Sequence, residues 1–315
     1  MNREQIKSKF ENLTIWTYRD TRAPHKPLLV LYALGRLQRD GARWLSYEEV
    51  KENLAELLAE FGPPRPPRTN FPFVRLANDG VWELSKPLDT KRDHSDSELL
   101  ANGVTGGFVQ EVYDALVKDP SLVGELAQSL LDQHFPETMH GDILAAVGLD
   151  LSQARPAEQA SAKAQRARRD PEFRERVLRA YEYRCAVCGF NVRLGHMLVA
   201  LDAAHIKWWQ AGGPDVEANG LALCSMHHKL FDRGVFTIAS TNNSEFMVRV
   251  SEEAHGTIGF REWVLEYHGK PIRSPQRPEY FPAQDFMEWH AREVFRGRPR
   301  YLARSSVGSG GIARD

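Results

Sequence analysis

A chain of 315 residues is long enough for two domains with separate cores, and 42% hydrophobic and 26% charged residues are ordinary proportions for a water-soluble protein. No apolar run approaches a membrane span, and Met1-Asn2-Arg3-Glu4 lacks the basic-then-apolar layout of a signal peptide, so the expectation is a cytoplasmic protein. A formal net charge of −1 excludes a uniformly basic protein but not a basic face, because phosphate contacts need a positive surface rather than a positive chain.

Residues 3–16 predict a helix with Ile6, Phe10 and Leu13 on one side. After a polar stretch with Pro24, Pro27 opens an apolar run over 28–37, as a proline in the first turn of a helix does. His25 and Lys26 stand just before that start, where free backbone N–H groups can receive a phosphate-like anion. The same two residues also suit a plain polar lead-in to a core helix. Residues 46–61 read as an amphipathic helix capped by Ser46, with Glu49 three positions on. The segment Gly62-Pro63-Pro64-Arg65-Pro66-Pro67-Arg68 is too rich in proline for helix or central strand.

Residues 71–76 and 81–84 alternate apolar and polar around Asn78-Asp79-Gly80, a hairpin signal. Helices followed by a hairpin suggest a winged-helix-like, mainly helical DNA-binding domain, with the proline-bordered loop as its DNA-facing edge. Residues 108–131 and 139–147 complete this domain with helices. The Ala-, Gln- and Ser-rich stretch 152–165 reads as a linker. Arg166, Arg168 and Arg169, with Arg174, Arg176 and Arg179 behind them, make either a phosphate-contacting patch or a solvated helix face paired with Glu172 and Glu175. An amphipathic helix over 171–183 leads into Cys185. Strands follow at 236–238 and 246–250, then a helix over 282–295 with Trp289 and a Gly/Ser-rich, disordered tail. The expected organisation is α+β: a modified-DNA reader over 1–151, a linker over 152–170, a nuclease domain over 171–304 and a tail over 305–315.

The most informative stretch is 185–234. It opens on Cys185-Ala186-Val187-Cys188 and closes on Cys224-Ser225-Met226-His227, and these hold the chain's only three cysteines. Two close pairs brought together by the chain make a tetrahedral zinc site, which staples a motif with little core of its own. Between and after the pairs stand His205, a Gly-Gly-Pro-Asp turn, Asn219 and His228, which zinc does not need. His205 is the candidate general base, since imidazole titrates near neutral pH. His228 is the first ligand expected for a catalytic divalent ion, with Asp202 and Asn219 as contenders for the second. On a strand, odd spacing puts Asp202 and His205 on opposite faces unless a bulge intervenes. Asn219 also suits the task of tying the loop across the motif. The Cys-x-x-His spacing gives His227 to zinc, although spacing alone allows His227 and His228 to exchange parts. Trp208 and Trp209 are expected to wall the site.

Taken together, Cys185-x-x-Cys188, Ala203-Ala204-His205-Ile206, Asn219-Gly220-Leu221, Cys224-x-x-His227-His228 and Leu230-Phe231-Asp232 resemble a zinc-framed HNH, or ββα-metal, endonuclease. The resemblance implies one-metal hydrolysis of DNA phosphodiesters, leaving 5′-phosphate and 3′-hydroxyl ends. It implies a structural Zn²⁺ beside a catalytic cation such as Mg²⁺ or Mn²⁺. Many HNH enzymes carry an acid or histidine immediately before the base, where this chain has Ala204.

Ala23-Pro24-His25-Lys26-Pro27-Leu28-Leu29, Phe71-Pro72-Phe73 and Asp79-Gly80-Val81-Trp82-Glu83-Leu84 are similar to the N-terminal domain of McrA-type restriction enzymes that bind phosphorothioated DNA. Sulfur in place of a phosphate oxygen is larger, softer and less hydrated, so its reader needs an apolar cup. The resemblance gives that part to Phe71 and Pro72, with His25, Lys26, Arg65 and Arg92 on neighbouring phosphates. Arg75 stands where a small residue would suit a cup better, and the Phe-Pro-Phe could equally pack into the core. The expected function is a Type IV-like restriction endonuclease acting on phosphorothioated double-stranded DNA, with a homodimer as one way to cut both strands. Its rivals are a nuclease for methylated or hydroxymethylated cytosine, which would need a base-flipping pocket, and a catalytically inactive zinc-containing regulator.

Overall fold

The structure, a computed structural model, describes residues 1–16, 20–151, 170–241 and 245–301. The linker at 152–165, the cluster Arg166, Arg168 and Arg169, and the tail at 305–315 lie outside the described residues. Among the described residues, no helix is long and apolar enough to cross a membrane.

The N-terminal half is built on helices. Helix α1 (Arg3–Glu11) starts at a capping box, in which the Asn2 side chain accepts the Gln5 N–H and the Gln5 side chain accepts the Asn2 N–H. It stops at Glu11, short of the expected 3–16. Helix α2 (His25–Asp40) is buried on nearly all sides from Lys26 to Gly35, so it forms the axis of the domain rather than a surface helix. Strand β1 (Trp44–Ser46) leads into α3 (Tyr47–Phe61), with Ser46 Oγ accepting the Glu49 N–H as its cap. Then come α4 (Asn70–Arg75), β2 (Trp82–Leu84), α5 (Asp96–Ala101), β3 (Thr105–Phe108), α6 (Gln110–Lys118), α7 (Pro120–His134) and α8 (Glu137–Val147). The three strands pair antiparallel in the order β1-β3-β2.

The hairpin expected over 71–84 is not formed. Residues 70–75 are helical, 76–79 make a 3₁₀ turn, and the strand that pairs with β2 is β3. Proline is the physical reason: Pro72 has no N–H for a ladder but fits the first turn of a helix. Asn78-Asp79-Gly80 ends that helical run instead of turning a hairpin, with Gly80 at φ +67°.

The C-terminal half begins with α9 (Phe173–Ala180) and the small hairpin β4 (Arg193–Leu194) and β5 (Met197–Leu198). Strands β6 (Leu201–His205) and β7 (Gly220–Cys224) pair antiparallel, and α10 (Ser225–Asp232) follows β7 directly. That unit is the ββα core of the domain. A second hairpin, β8 (Phe236–Ser240) with β9 (Phe246–Val250), α11 (Ile258–Trp263) and α12 (Gln284–Glu293) complete it.

Each half has its own apolar core, yet the halves are docked. Trp208, Trp289 and Val294 of the second half are buried in the core that runs from Ile6 to Leu149. Around them, Arg22, Asp20, Glu60 and Thr138 of the first half pair with Glu293, Arg292, Arg233 and Asp232 of the second.

Candidate nuclease and DNA-reading sites

The zinc-type cluster forms where Cys185 and Cys188 meet the start of α10. Ligand atoms of Cys185, Cys188, Cys224 and His227 all lie within 4.8 Å of one another. Cys185 Sγ is 3.7 Å from His227 Nδ1, Cys224 Sγ is 3.2 Å from it, and the Cys188 and Cys224 sulfurs are 4.0 Å apart. A tetrahedral zinc with sulfur at about 2.3 Å requires ligand separations of about 3.5–3.8 Å, so this donor set fits the ion. His227 Nε2 lies 2.8 Å from the Trp263 carbonyl, to which it donates, and this presents Nδ1 to the sulfurs. Hydrogen bonds from the Cys188 and Cys224 thiols lower the Cys185 pKa toward the thiolate that zinc takes. The geometry places His227, and not His228, in this cluster.

His205 ends β6 and His228 lies one residue beyond His227 on α10. Both line one pocket of about 460 Å³, together with Asp202, Trp208, Trp209, Asp215 and Asp232. The strand pairing is one-to-one from Leu201↔Cys224 to His205↔Gly220, so there is no bulge to swing Asp202 toward the base. The Asp202 carboxylate accepts from Arg174 Nε at 2.7 Å and stands half-exposed at the pocket rim. Asp232, to which residue type and spacing gave no part, sits deeper. It is 3% exposed, its Oδ2 is 3.3 Å from His228 Nε2, and it accepts the Thr138 hydroxyl from α8. Burial raises the pKa of this carboxyl, against the lowering effect of the His228 charge. No second group of three or more acidic, histidine or cysteine ligands gathers among the described residues.

Asn219 is fully buried and its polar atoms are all engaged. Its Oδ1 accepts the Lys207 N–H at 2.8 Å, and its Nδ2 donates to the carbonyls of Lys207 at 3.0 Å and Pro214 at 2.9 Å. It therefore clamps the loop between the strands, and it is not available as a second ligand to an ion. Gly213 is part of the same clamp, since a Cβ there would meet the Lys207 carbonyl oxygen at 1.8 Å. His205 is held on two sides: Phe173 stacks on its ring at 4.2 Å between centroids, and Asp215 Oδ1 lies 2.7 Å from Nε2. Asp215 was legible only as a turn residue. A carboxylate four positions before the loop-clamping Asn219 is the signal that was there to be used.

The second pocket, of about 740 Å³, lies in the N-terminal half, and His25, Lys26, Arg65, Phe71 and Pro72 all line it. Arg92 does not. It is ion-paired with Glu98 and bonded to His94 instead. Lys26 is buried against Asp79, so its charge is already matched within the protein. Burial, with Arg65 nearby, pushes the His25 pKa down to about 4, so near pH 7 its imidazole is neutral and acts as a hydrogen-bonding group rather than a cation. Arg75 lines the pocket as well. Its guanidinium lies 4.9 Å from the Phe71 ring centroid, with Arg68 at 5.5 Å, and Arg75 is tied to Asp93. Arg68, from the proline-bordered loop expected at the DNA-facing edge, also lines this pocket, as does Arg22, which nothing in its local sequence marks for it.

Arg22 stacks its guanidinium 3.9 Å over Trp208, a wall of the nuclease pocket. The two pockets thus share a partition one side chain thick on each face. Glu293, on α12, is fully buried beside it. It accepts the Arg22 N–H at 3.0 Å and pairs with Arg65 and Arg292.

A zinc-type cluster thus frames a ββα pocket, and the domain that carries it is docked on a helical domain with a basic, aromatic-lined pocket. Residues 3–152 match the family described as ScoMcrA-like, DNA sulfur-binding domain, and residues 185–239 match the family described as HNH endonuclease. The chain therefore joins a ScoMcrA-like DNA sulfur-binding domain to an HNH endonuclease domain. Among solved structures, the sulfur binding domain of SprMcrA complexed with phosphorothioated DNA is 22% identical, with a TM-score of 0.43 over 49% of this chain and 98% of that one. The corresponding ScoMcrA domain complexed with phosphorothioated DNA is 18% identical, with a TM-score of 0.39 over 45% and 94%. The modification-dependent TagI restriction endonuclease is 25% identical, with a TM-score of 0.27 over 39% and 37%. No curated protein matches the chain.

Proposed function

We propose that this protein is a Type IV-like restriction endonuclease: residues 1–151 read phosphorothioate in double-stranded DNA, and residues 171–304 hydrolyse a phosphodiester nearby. The observation that carries the reading is that His205 and His228 share one pocket while neither belongs to the adjoining Cys₃His cluster. A motif built only to be stapled by zinc has no need of that second pair.

In the nuclease pocket, His205 takes a proton from the attacking water, Asn219 fixes the loop that follows it, and the Trp208 wall limits access of bulk water. His228, with Asp202 or Asp232, would hold a divalent cation, which would supply positive charge at the phosphate and at the leaving 3′ oxygen. Imidazole and carboxylate donors of this kind would suit a divalent ion such as Mg²⁺ or Mn²⁺. In the reader, Phe71 and Pro72 give sulfur an apolar surface, Arg65, Arg68 and Arg75 meet neighbouring phosphates, and neutral His25 adds a hydrogen bond. The three-stranded sheet β1-β3-β2, with β1 packed on α3, supports a winged-helix-like arrangement. Cutting both strands takes two hydrolytic events, from two copies or two visits.

The test uses matched duplexes, unmodified, phosphorothioated or methylated, with and without EDTA. Metal-dependent cleavage confined to the phosphorothioated duplex is expected, and His205→Ala should abolish it with zinc content unchanged. Equal cleavage of all three duplexes refutes the sulfur reading, and zinc loss in His205→Ala refutes the assignment of the base.

A further inference from the structure

The loop between β6 and β7 carries Asp215, a carboxylate to which the hydrolysis described above gives no part. One oxygen, Oδ1, is 2.7 Å from His205 Nε2, and the other, Oδ2, accepts the Asp170 backbone N–H at 2.8 Å. The two side chains, 14% exposed each, are largely shielded from solvent competition. The loop itself is pinned. Arg176 donates to the Asp215 carbonyl at 2.7 Å, to Asp170 at 2.6 Å and to Glu217 at 3.2 Å. Of the pocket's other charged groups, Arg174 pairs with Asp202, Asp170 with Arg176, and His228 lies against Asp232. Phe173 fixes the plane of the imidazole, stacked at 19°, and Asp215 fixes its rotation in that plane.

We propose that Asp215 is the positioning residue for His205, a role that rests on His205 being the base. An ionised carboxylate only accepts hydrogen bonds, so in neutral His205 the proton sits on Nε2 and the basic lone pair on Nδ1. The water proton then moves to Nδ1 as the water oxygen forms its bond to phosphorus. The bond from phosphorus to the 3′ oxygen breaks, and that oxygen leaves with the electron pair. Throughout, Nε2–H stays bonded to Asp215, whose negative charge faces the positive imidazolium as it forms.

Asn at this position separates a positioning role from a merely structural one. Two N–H groups, from Asp170 and from His205, need acceptors here, and an amide offers one acceptor oxygen where the carboxylate offers two. With its oxygen toward Asp170, the amide N–H₂ faces Nε2 and drives the imidazole proton to Nδ1, which removes the basic lone pair from the reacting side.

The experiment is made on the full chain in two arms. Nitrogen-15 spectra of histidine-labelled protein, with His205 assigned by loss of its signal in His205→Gln, should show the Nε2–H tautomer in the wild type. An Nδ1–H tautomer there overturns the proposal, whether or not the protein cleaves DNA. Cleavage by Asp215→Asn should fall by about 10²–10⁴ in kcat, the worth of a well-placed base, with KM for the duplex within about threefold. Asp215→Glu, which keeps both acceptor oxygens, should recover part of that loss. Unchanged kcat in an Asp215→Asn protein of normal zinc content and melting temperature refutes the role. Full activity in His205→Ala refutes the reading of the base instead, so the two failures are distinguishable.

Discussion

Glu293 offers the sharpest test of how the two halves are joined. Its carboxylate is fully buried and faces Arg22, Arg65 and Arg292. Arg22 is only 8% exposed, and burial pushes its pKa down to about 9, with the Arg296 charge adding to the effect and Glu293 opposing it. Glu293→Ala takes a negative charge from beside that guanidinium, whose own hydrogen bonds run to the Glu293 and Phe61 carbonyls, and leaves the Arg22 backbone N–H without its acceptor. Breaking one partner of a buried pair costs about 3–5 kcal/mol, and the low end applies because Arg65 and Arg292 are half-exposed and can turn to water. About 3 kcal/mol corresponds to a melting temperature lower by roughly 4–5 °C in a chain of this size. Since Glu293 belongs to the second half and both Arg22 and Arg65 to the first, calorimetry should also split one transition into two. Glu293→Gln, which keeps the shape, should lose less. A single unshifted transition in Glu293→Ala, with a loss under about 1 kcal/mol, refutes the view that this carboxylate holds the domains together.

Cys188→Ser should abolish zinc binding and unfold the nuclease half while the N-terminal half keeps its helical signal, read by metal analysis and circular dichroism; structural zinc in small motifs is worth on the order of 10 kcal/mol. His25 and His290, held neutral by burial with pKa values of about 4 and about 3, refuse protons that the unfolded chain accepts below its ordinary pKa of about 6.5. Their contribution is therefore fully present above that value and declines as pH falls from 6.5 toward 4, so urea midpoints should drop between pH 7.5 and 5.5 by up to about 3 kcal/mol in stability. Asn219→Ala leaves the Lys207 N–H and the carbonyls of Lys207 and Pro214 without their partner, and should cost about 2–4 kcal/mol in a denaturant titration. Phe71→Ala should reduce the preference for phosphorothioated over unmodified duplex in a binding titration, while affinity for unmodified DNA changes little.

By itself, the sequence determined the features that depend on residue type and short spacing. Cys-x-x-Cys and Cys-x-x-His can close on one ion only in a few ways, so the four zinc-type ligands were legible, as were Ser46 as a cap and the apolar run from Leu28 to Leu37 as a helix. His205, Asn219 and His228 were legible as a set because their chemistry exceeds what zinc requires. Only the tertiary structure decided what depends on distant parts of the chain. The Phe71–Leu84 pattern fits strand or helix locally, and burial of Phe73, Val74 and Leu76 against α2 and α3 chose helix. Asp215 and Asp232 look like turn and helix-end residues until folding sets them against His205 and His228. Glu293 looks like a surface acid of an amphipathic helix until Arg22, 271 positions earlier, encloses it. Periodicity describes one element at a time, whereas a buried charge is defined by what another element brings to it.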